Sequence, residues 1–114
     1  MLKLFAALAA TFVAMPVAAA PTALASWYGE YFHGRTTANG ETYNMYGISV
    51  AHKSLPFGTR LRLCNTANGK CVDATVNDRG PYIHGRTFDL SMGAAQAIGM
   101  IDQGVATVTY EYLN

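Results

Sequence analysis

Two short stretches that alternate polar and apolar side chains flank a turn sequence, and they constrain the fold more than any other feature. Residues 60–64 (RLRLC) and 71–76 (CVDATV) each have the pattern of a half-buried strand. Between them, Thr66-Ala67-Asn68-Gly69 predicts a four-residue hairpin loop with Gly69 in the left-handed conformation. That register places Cys64 opposite Cys71, which predicts a cross-strand disulfide. Metal binding is the competing interpretation, although two cysteines without a neighbouring Cys or His pair form at most half a zinc site.

Strand patterns dominate the rest of the chain. Besides the two strands of the hairpin, they cover residues 23–28, 47–51, 87–90 and 105–112. A single helix is predicted over residues 92–100, with Ser91 as its N-cap. We therefore expect an all-β domain of about six short strands closed into a barrel, because closure removes sheet edges that so small a protein would otherwise expose.

The first 25 of the 114 residues have the layout of a secretory signal peptide. Lys3 precedes an apolar run over residues 4–13, and small residues offer cleavage after Ala25 or, alternatively, after Ala19 or Ala20. A membrane anchor is the competing interpretation, but the apolar part is short and prolines interrupt its end. We thus predict a signal peptide over residues 1–25 and a domain over residues 26–114, exported to the periplasm or beyond. No cysteine stands directly after any of these cleavage sites, so we expect no lipid anchor.

The charge of the exported part argues against polyanionic partners. The chain has eight Lys and Arg and seven Asp and Glu, and removal of Lys3 leaves the two signs equal. A near-zero charge gives no electrostatic grip on nucleic acid or on anionic membranes, so neutral polar polymers suit the domain better. The chain has no phosphate loop, dinucleotide fingerprint or nucleophile elbow, and its three histidines lack metal-ligand spacing. We expect neither a cofactor nor a metal.

Candidate chemistry centres on two aspartates eleven residues apart, Asp78 and Asp89. If both face one cleft, their repulsion raises one pKa and leaves the other group ionised, which supplies an acid and a base. Each also has a structural interpretation: Asp78 as the cap of the turn before Gly80-Pro81, and Asp89 as a charge near the helix N-terminus. Glu41 could equally be a solvated surface carboxylate, and His52 a hydrogen-bonded structural residue.

Aromatic residues flank the polar loops, and sugar rings offer apolar faces that pack on such side chains. Most of them must help to fill a small core, so we expect two or three to line a groove. They are Trp27, Tyr28, Phe32, Tyr43, Tyr46, Phe57 and Tyr82.

Five motifs occur in order across nearly the whole exported part and together resemble the rare lipoprotein A (RlpA) family. They are residues 25–29 (ASWYG), 32–41 (FHGRTTANGE), 51–59 (AHKSLPFGT), 77–81 (NDRGP) and 88–91 (FDLS). The resemblance implies a six-stranded double-psi β-barrel with one short helix. It also implies lytic transglycosylase activity on peptidoglycan strands, preferably lacking stem peptides, with 1,6-anhydro-muramic acid ends as product.

The resemblance also assigns roles to residues. Positions important in the family match Asp78, Glu41 and His52, which makes Asp78 the leading proton donor, Glu41 its assistant and His52 an orienting group. More distant barrel relatives use an aspartate in a Phe-Asp motif similar to Phe88-Asp89, so Asp89 is the rival donor. Six residues within or beside the motifs are expected to contact the glycan: Tyr28, Arg35, Asn39, Phe57, Arg79 and Tyr82.

This chain departs from the family pattern in three respects. It has the additional Cys64/Cys71 pair, and we expect neither a lipid-attachment cysteine nor a carboxy-terminal glycan-targeting module. We expect an unanchored, barrel-only monomer. Two other functions remain open: a non-catalytic glycan-binding or wall-loosening module similar to expansins, and a secreted inhibitor of papain-type proteases.

Overall fold

A computed structural model of the chain describes residues 20–114 as a closed barrel of six strands. Most of the predicted signal peptide, residues 1–19, lies outside the described residues. The strands are β1 (Thr22–Tyr28), β2 (Ser49–Ala51), β3 (Arg60–Asn65), β4 (Cys71–Asp78), β5 (Phe88–Ser91) and β6 (Val105–Tyr112). Helix α1 (Met92–Ala97) follows β5 directly, and a single 3-10 turn covers Glu30–Phe32. The predicted all-β barrel with one short helix is confirmed.

The order of strands around the barrel is β1-β5-β2-β4-β3-β6, which differs from their order in the sequence. β1 pairs with β5 and β2 pairs with β4 in parallel, while the remaining neighbours are antiparallel. Parallel neighbours need long crossover connections. β1 and β5 are separated in the sequence by β2, β3 and β4, and β2 and β4 are separated by β3, so each parallel pair is joined through intervening strands. The long polar segment between β1 and β2 reaches the end of β4, where the amide of Asn39 donates to the carbonyl of Asn77 (3.3 Å).

Alternating apolar side chains fill the barrel interior, as a small barrel requires. Leu61 and Leu63 on β3 and Phe88 and Leu90 on β5 are at most 1% exposed. Helix α1 closes one side through Ala94, Ala95 and Ile98, which are fully buried. The helix is shorter than predicted and ends at Ala97, because Gly99 turns the backbone into the left-handed region (φ +68°).

The β3–β4 hairpin has the predicted register. Cys64 pairs directly with Cys71 and the two form a disulfide, so the competing metal interpretation is wrong. Gly69 has a φ of +75°, and the amide of Asn65 donates to the carbonyl of Lys70 across the turn (2.8 Å). The loop that the disulfide closes is short, with a sequence separation of seven residues.

We expect the double substitution Cys64→Ala and Cys71→Ala to lower the free energy of unfolding by about 2 kcal/mol, because so short a loop restricts the unfolded chain only modestly. Urea unfolding at equilibrium measures the change. The surface depressions described below should be unaffected, since neither cysteine lines them. Parallel urea unfolding of the unsubstituted protein in reducing agent is the control, and an unchanged midpoint in the double variant would contradict the estimate.

The long connection between β1 and β2 is held in place by Tyr43, which is 2% exposed. Its hydroxyl donates to the backbone carbonyl of Tyr28 (2.6 Å) and accepts from the amide of Met92 (3.2 Å). Burial raises the pKa of this hydroxyl. The connection is therefore fixed both to β1 and to the start of α1, whereas Tyr46 at its end is 66% exposed.

Gly93 on α1 allows this connection to approach the helix. A Cβ there would lie 2.5 Å from the carbonyl oxygen of Gly47 and 2.6 Å from that of Tyr46. We expect Gly93→Ala to destabilise the fold by about 1–3 kcal/mol, because the opposing atoms are backbone and cannot rotate away. Thermal unfolding measures the loss, with Gln96→Ala at an exposed position of the same helix as the control. Equal stability of the two variants would show that the connection yields.

Strand β1 begins before the predicted domain boundary at Ser26. Its residues Thr22 to Ala25 pair with Thr109 to Ala106 of β6, and Ala25 is fully buried. The carbonyl of Pro21 also accepts from the amide of Tyr110 (3.1 Å). Among residues 20–114, no helix has the length and apolar character needed to cross a membrane.

Candidate active site

The two aspartates of the sequence motifs lie on either side of Ala51 in the barrel wall. Ala51 on β2 pairs with Asp78 on β4 and with Asp89 on β5. Directly paired residues point to the same face of a sheet, and two strand spacings place the two Cα atoms about 10 Å apart. Both aspartates line one cleft of about 300 Å³, with the small side chain of Ala51 between them.

Asp89 is half-buried and is bonded to strand β1. Its Oδ1 accepts a hydrogen bond from Ser26 Oγ (3.0 Å), the residue that pairs with it across the β1–β5 ladder. Burial raises the pKa of the Asp89 carboxyl and the negative charge of Asp78 adds to the rise, while Ser26 and Arg86 act in the opposite direction. Ser91, rather than Asp89, stabilises the start of the helix: its Oγ accepts from the amide of Ala94 (3.2 Å).

Asp78 is held by the backbone. Its Oδ1 accepts from the amide of Ala38 and from the amide of Arg79, both at 2.9 Å. The first bond ties the β1–β2 connection to the end of β4, and the second organises the turn before Gly80. Asp78 therefore has the structural role that the sequence allowed, while it also lines the cleft.

Glu41 lies outside the cleft and contacts Asn77, the residue before Asp78. A bridge between Thr36 and Thr42 closes a small exposed loop, and Glu41 Oε1 accepts from Asn77 Nδ2 (3.0 Å) next to Asp78. Asn39 organises the same loop: its Oδ1 accepts from Thr37 Oγ1 (2.6 Å) and from the amide of Glu41 (3.1 Å). Neither Glu41 nor Asn39 lines the cleft.

The ring of His52 is occupied by its own loop. Nδ1 accepts from the amides of Ser54 (3.1 Å) and Leu55 (3.0 Å), so the neutral ring carries its proton on Nε2. Burial lowers the pKa of His52, and the cations Arg79 and Lys53 lower it further. Its backbone amide donates to the carbonyl of Asp78 (3.2 Å), which places His52 next to that residue. Within residues 20–114, the ring of His52 forms no hydrogen bond with a carboxylate.

Three of the six predicted glycan contacts line the cleft: Tyr28, Arg79 and Tyr82. Phe57 supports Arg79, whose guanidinium lies 3.9 Å from the centre of its ring and also donates to the carbonyl of His52. Arg35 stacks on Tyr31 (4.4 Å) and donates to the carbonyl of that residue. Phe57, Arg35 and Asn39 thus stabilise loops rather than line the cleft.

Tyr28 joins the cleft to the barrel. Its ring stacks on Tyr43, with 4.5 Å between ring centres. Its hydroxyl is buried and has no hydrogen-bond partner among the described residues. Burial, followed by the charge of Asp78, raises the pKa of this hydroxyl. The buried hydroxyl of Tyr28 therefore remains neutral, while the residue lines the cleft.

A wider groove of about 740 Å³ continues from the cleft past Asp89. Asp89 lines both depressions, whereas Asp78 lines the cleft alone. Five lining residues had no predicted site role: Ser26, Tyr31 and Arg86 line the groove alone, whereas Pro81 and Ile83 line the cleft as well. Ser26 belongs to a quoted motif and Arg86 lies between two of them, but only the fold shows that both lie near Asp89. Among the described residues, no group of three or more His, Cys, Asp or Glu side chains could hold a metal ion.

Comparison with known proteins identifies relatives of this barrel. Residues 21–110 match the lytic transglycolase family. The endolytic peptidoglycan transglycosylase RlpA of Pseudomonas aeruginosa is 52% identical over 87 residues, which are 76% of this chain and 26% of that protein. The chain spans about a quarter of the length of the curated relatives that it matches first.

Solved structures share the fold at low identity. An expansin of Clavibacter michiganensis superposes with a TM-score of 0.65 and 22% identity, over 82% of this chain and 50% of that one. A papain inhibitor of Streptomyces superposes with a TM-score of 0.61 and 20% identity, over 85% of this chain and 98% of that one. These neighbours are expansin-like proteins with a double-psi β-barrel, so the predicted double-psi β-barrel fold is confirmed.

Proposed function

We propose that this chain, which belongs to the lytic transglycolase family, cleaves the glycan strands of peptidoglycan and leaves 1,6-anhydro-muramic acid ends. One observation carries the proposal. Two aspartates in different environments face the same open cleft, and burial raises the pKa of one of them. Such a pair provides a proton donor and a proton acceptor from one residue type.

We assign the proton donor to Asp89 and the acceptor to Asp78. The motif resemblance favours Asp78 as donor, but two features of the structure favour the reverse. The raised pKa keeps the Asp89 carboxyl protonated to higher pH. Asp89 also lines both the cleft and the groove, which is where a group must lie to reach a bond between two sugars that occupy them.

The reaction needs no water. Asp89 transfers its proton to the glycosidic oxygen as the bond from C1 of the muramic acid residue to that oxygen breaks. Asp78 accepts the proton of the C6 hydroxyl of the same residue, and O6 forms the new bond to C1. The products are the released sugar with its new hydroxyl and the 1,6-anhydro ring. Asp78 then releases its proton to solvent and Asp89 takes one up, which restores both groups to their starting states.

Glu41 and His52 act as positioning residues in this proposal. Glu41 holds Asn77 and the small loop whose Ala38 amide donates to Asp78. His52 fixes the loop after β2 through Nδ1, and its backbone holds both the carbonyl of Asp78 and the guanidinium of Arg79. Loss of either side chain should displace Asp78 rather than remove a proton-transfer group.

The test is incubation of the exported domain with purified glycan strands freed of stem peptides, followed by mass analysis of the products. Soluble fragments with anhydro ends are the expected result. Sedimentation of the protein with the strands without new ends would instead support an expansin-like binding module. Inhibition of papain with no effect on glycan would support the inhibitor alternative.

Signal processing is expected after Ala19 or Ala20 rather than after Ala25. Cleavage after Ala25 would remove four of the five β1 residues that pair with β6, including the fully buried Ala25. The intact mass of the protein recovered from the periplasm or medium measures the site. A mature chain that begins at Ser26 would contradict this expectation.

A further inference from the structure

Arg86 is a half-buried cation in the wall of the groove, just before β5. The apolar side chains of Trp27, Tyr31 and Ile83 also line this groove. Two acidic residues also line the groove: Glu30 is exposed, and burial raises the pKa of the Asp89 carboxyl. The groove therefore offers apolar surface for sugar faces and one fixed positive charge.

The guanidinium of Arg86 has no hydrogen bond and no salt bridge within residues 20–114, whereas three other arginines are occupied. Their partners are the Tyr31 ring for Arg35, the Phe57 ring for Arg79, and the carboxylates of Asp73 and Glu111 for Arg62. Asp89 feels the charge of Arg86 but lies beyond salt-bridge distance. A half-buried guanidinium without a partner is suited to bind a carboxylate with two parallel hydrogen bonds.

The glycan of the proposed function carries one kind of carboxylate. The lactyl ether of muramic acid ends in a free carboxylate when the stem peptide is absent and in a neutral amide when it is present. A fixed cation beside the donor aspartate would therefore distinguish the two forms of the polymer by charge. It would also place the lactyl group of a muramic acid residue in the groove, on the Arg86 side of Asp89.

We propose that Arg86 binds the lactyl carboxylate of a muramic acid residue that lacks its stem peptide, and that this contact selects stripped glycan. The inference rests on the proposed function and deepens it by naming the group that reads the substrate. Arg86 acts as a specificity residue and takes no part in proton transfer.

Binding of two matched probes tests the assignment. The first is a tetrasaccharide of two N-acetylglucosamine–N-acetylmuramic acid repeats with free lactyl carboxylates, and the second is the same tetrasaccharide with lactyl amides. Titration calorimetry in an Asp78→Asn background prevents turnover of the probes. We expect the carboxylate probe to bind about tenfold more tightly than the amide probe, as one charge-assisted contact allows. Higher salt should reduce this ratio.

Arg86→Gln should remove the discrimination by weakening only the carboxylate probe, and Arg86→Lys should retain part of it. Arg60→Gln, at an exposed arginine on β3 outside the groove, is the matched control and should keep the full ratio. Circular dichroism establishes that each variant is folded. A role of Arg86 confined to the pKa of Asp89 would change both probes equally.

The outcomes separate this inference from the function on which it rests. Undiminished discrimination in folded Arg86→Gln, or an equal loss for both probes, would overturn the assignment of Arg86 while leaving the glycan function intact. Failure of the folded Asp78→Asn protein that retains Arg86 to bind either probe would overturn both.

Discussion

Replacement of Asp89 by Asn is expected to lower kcat/KM on stripped glycan by about 10²–10⁴-fold, the usual contribution of a positioned general acid. Asn retains the size of the side chain and an oxygen that accepts from Ser26 Oγ, so the β1–β5 contact survives. The proton that must reach the glycosidic oxygen is lost. In the unsubstituted protein, activity should fall as pH rises through the raised pKa of Asp89, because only the protonated carboxyl can donate.

The same substitution should stabilise the fold at neutral pH. A carboxyl whose pKa is raised in the folded state contributes stability below its unfolded pKa, and that contribution is lost as pH rises through the folded pKa. Asn does not titrate, so the difference in Tm between variant and unsubstituted protein should grow in favour of the variant across that window. Asp102→Asn, at an exposed aspartate outside both depressions, is the control. Retained activity with unchanged Tm would remove Asp89 from the mechanism.

Replacement of Asp78 by Asn is expected to lower kcat to a similar extent, about 10²–10⁴-fold, through loss of the proton acceptor. The Asn oxygen can still accept from the amides of Ala38 and Arg79, so the connection before β2 and the turn after β4 should persist. Unlike Asp89→Asn, this variant should keep the capacity to donate a proton. Binding of glycan should change little, which separates a loss of kcat from a rise in KM.

Asp73→Asn is the matched control for Asp78→Asn, because Asp73 lies on the same strand but forms an exposed ion pair with Arg62. It should retain full activity. Anhydro products from Asp78→Asn at the rate of Asp73→Asn would contradict the role of Asp78. Loss of folding in Asp78→Asn alone, seen by circular dichroism, would show that its turn role outweighs its chemical one.

Local patterns in the sequence predicted the strands, the hairpin register and the disulfide. Alternation and the Asn68-Gly69 turn place Cys64 opposite Cys71 without knowledge of the rest of the fold. The N-cap at Ser91 is likewise local, since its hydroxyl reaches the amide of Ala94 three residues on. The helix ends earlier than predicted, where Gly99 and the packing of Ile98 set the limit, and several strand limits differ from the prediction by one or two residues.

The site depends on contacts that no local pattern contains. Ser26 and Asp89 are 63 residues apart and meet only because β1 and β5 are parallel neighbours. Ala51 brings Asp78 and Asp89 to one face through two different ladders. Glu41 and His52 were predicted beside the aspartates, but their hydrogen bonds go to Asn77 and to backbone amides. Arg86 lies between the motifs at residues 77–81 and 88–91, yet its unpaired state is a property of the folded groove.

The most direct test of the mechanism is the reaction with stripped glycan in water enriched in oxygen-18, with mass analysis of the new ends. The account predicts ends that are one water lighter than a hydrolysis product and carry no label, formed by the unsubstituted protein and lost in Asp89→Asn. Labelled reducing ends would show that water is the nucleophile, and strands without new ends would show that the cleft binds glycan without cleaving it.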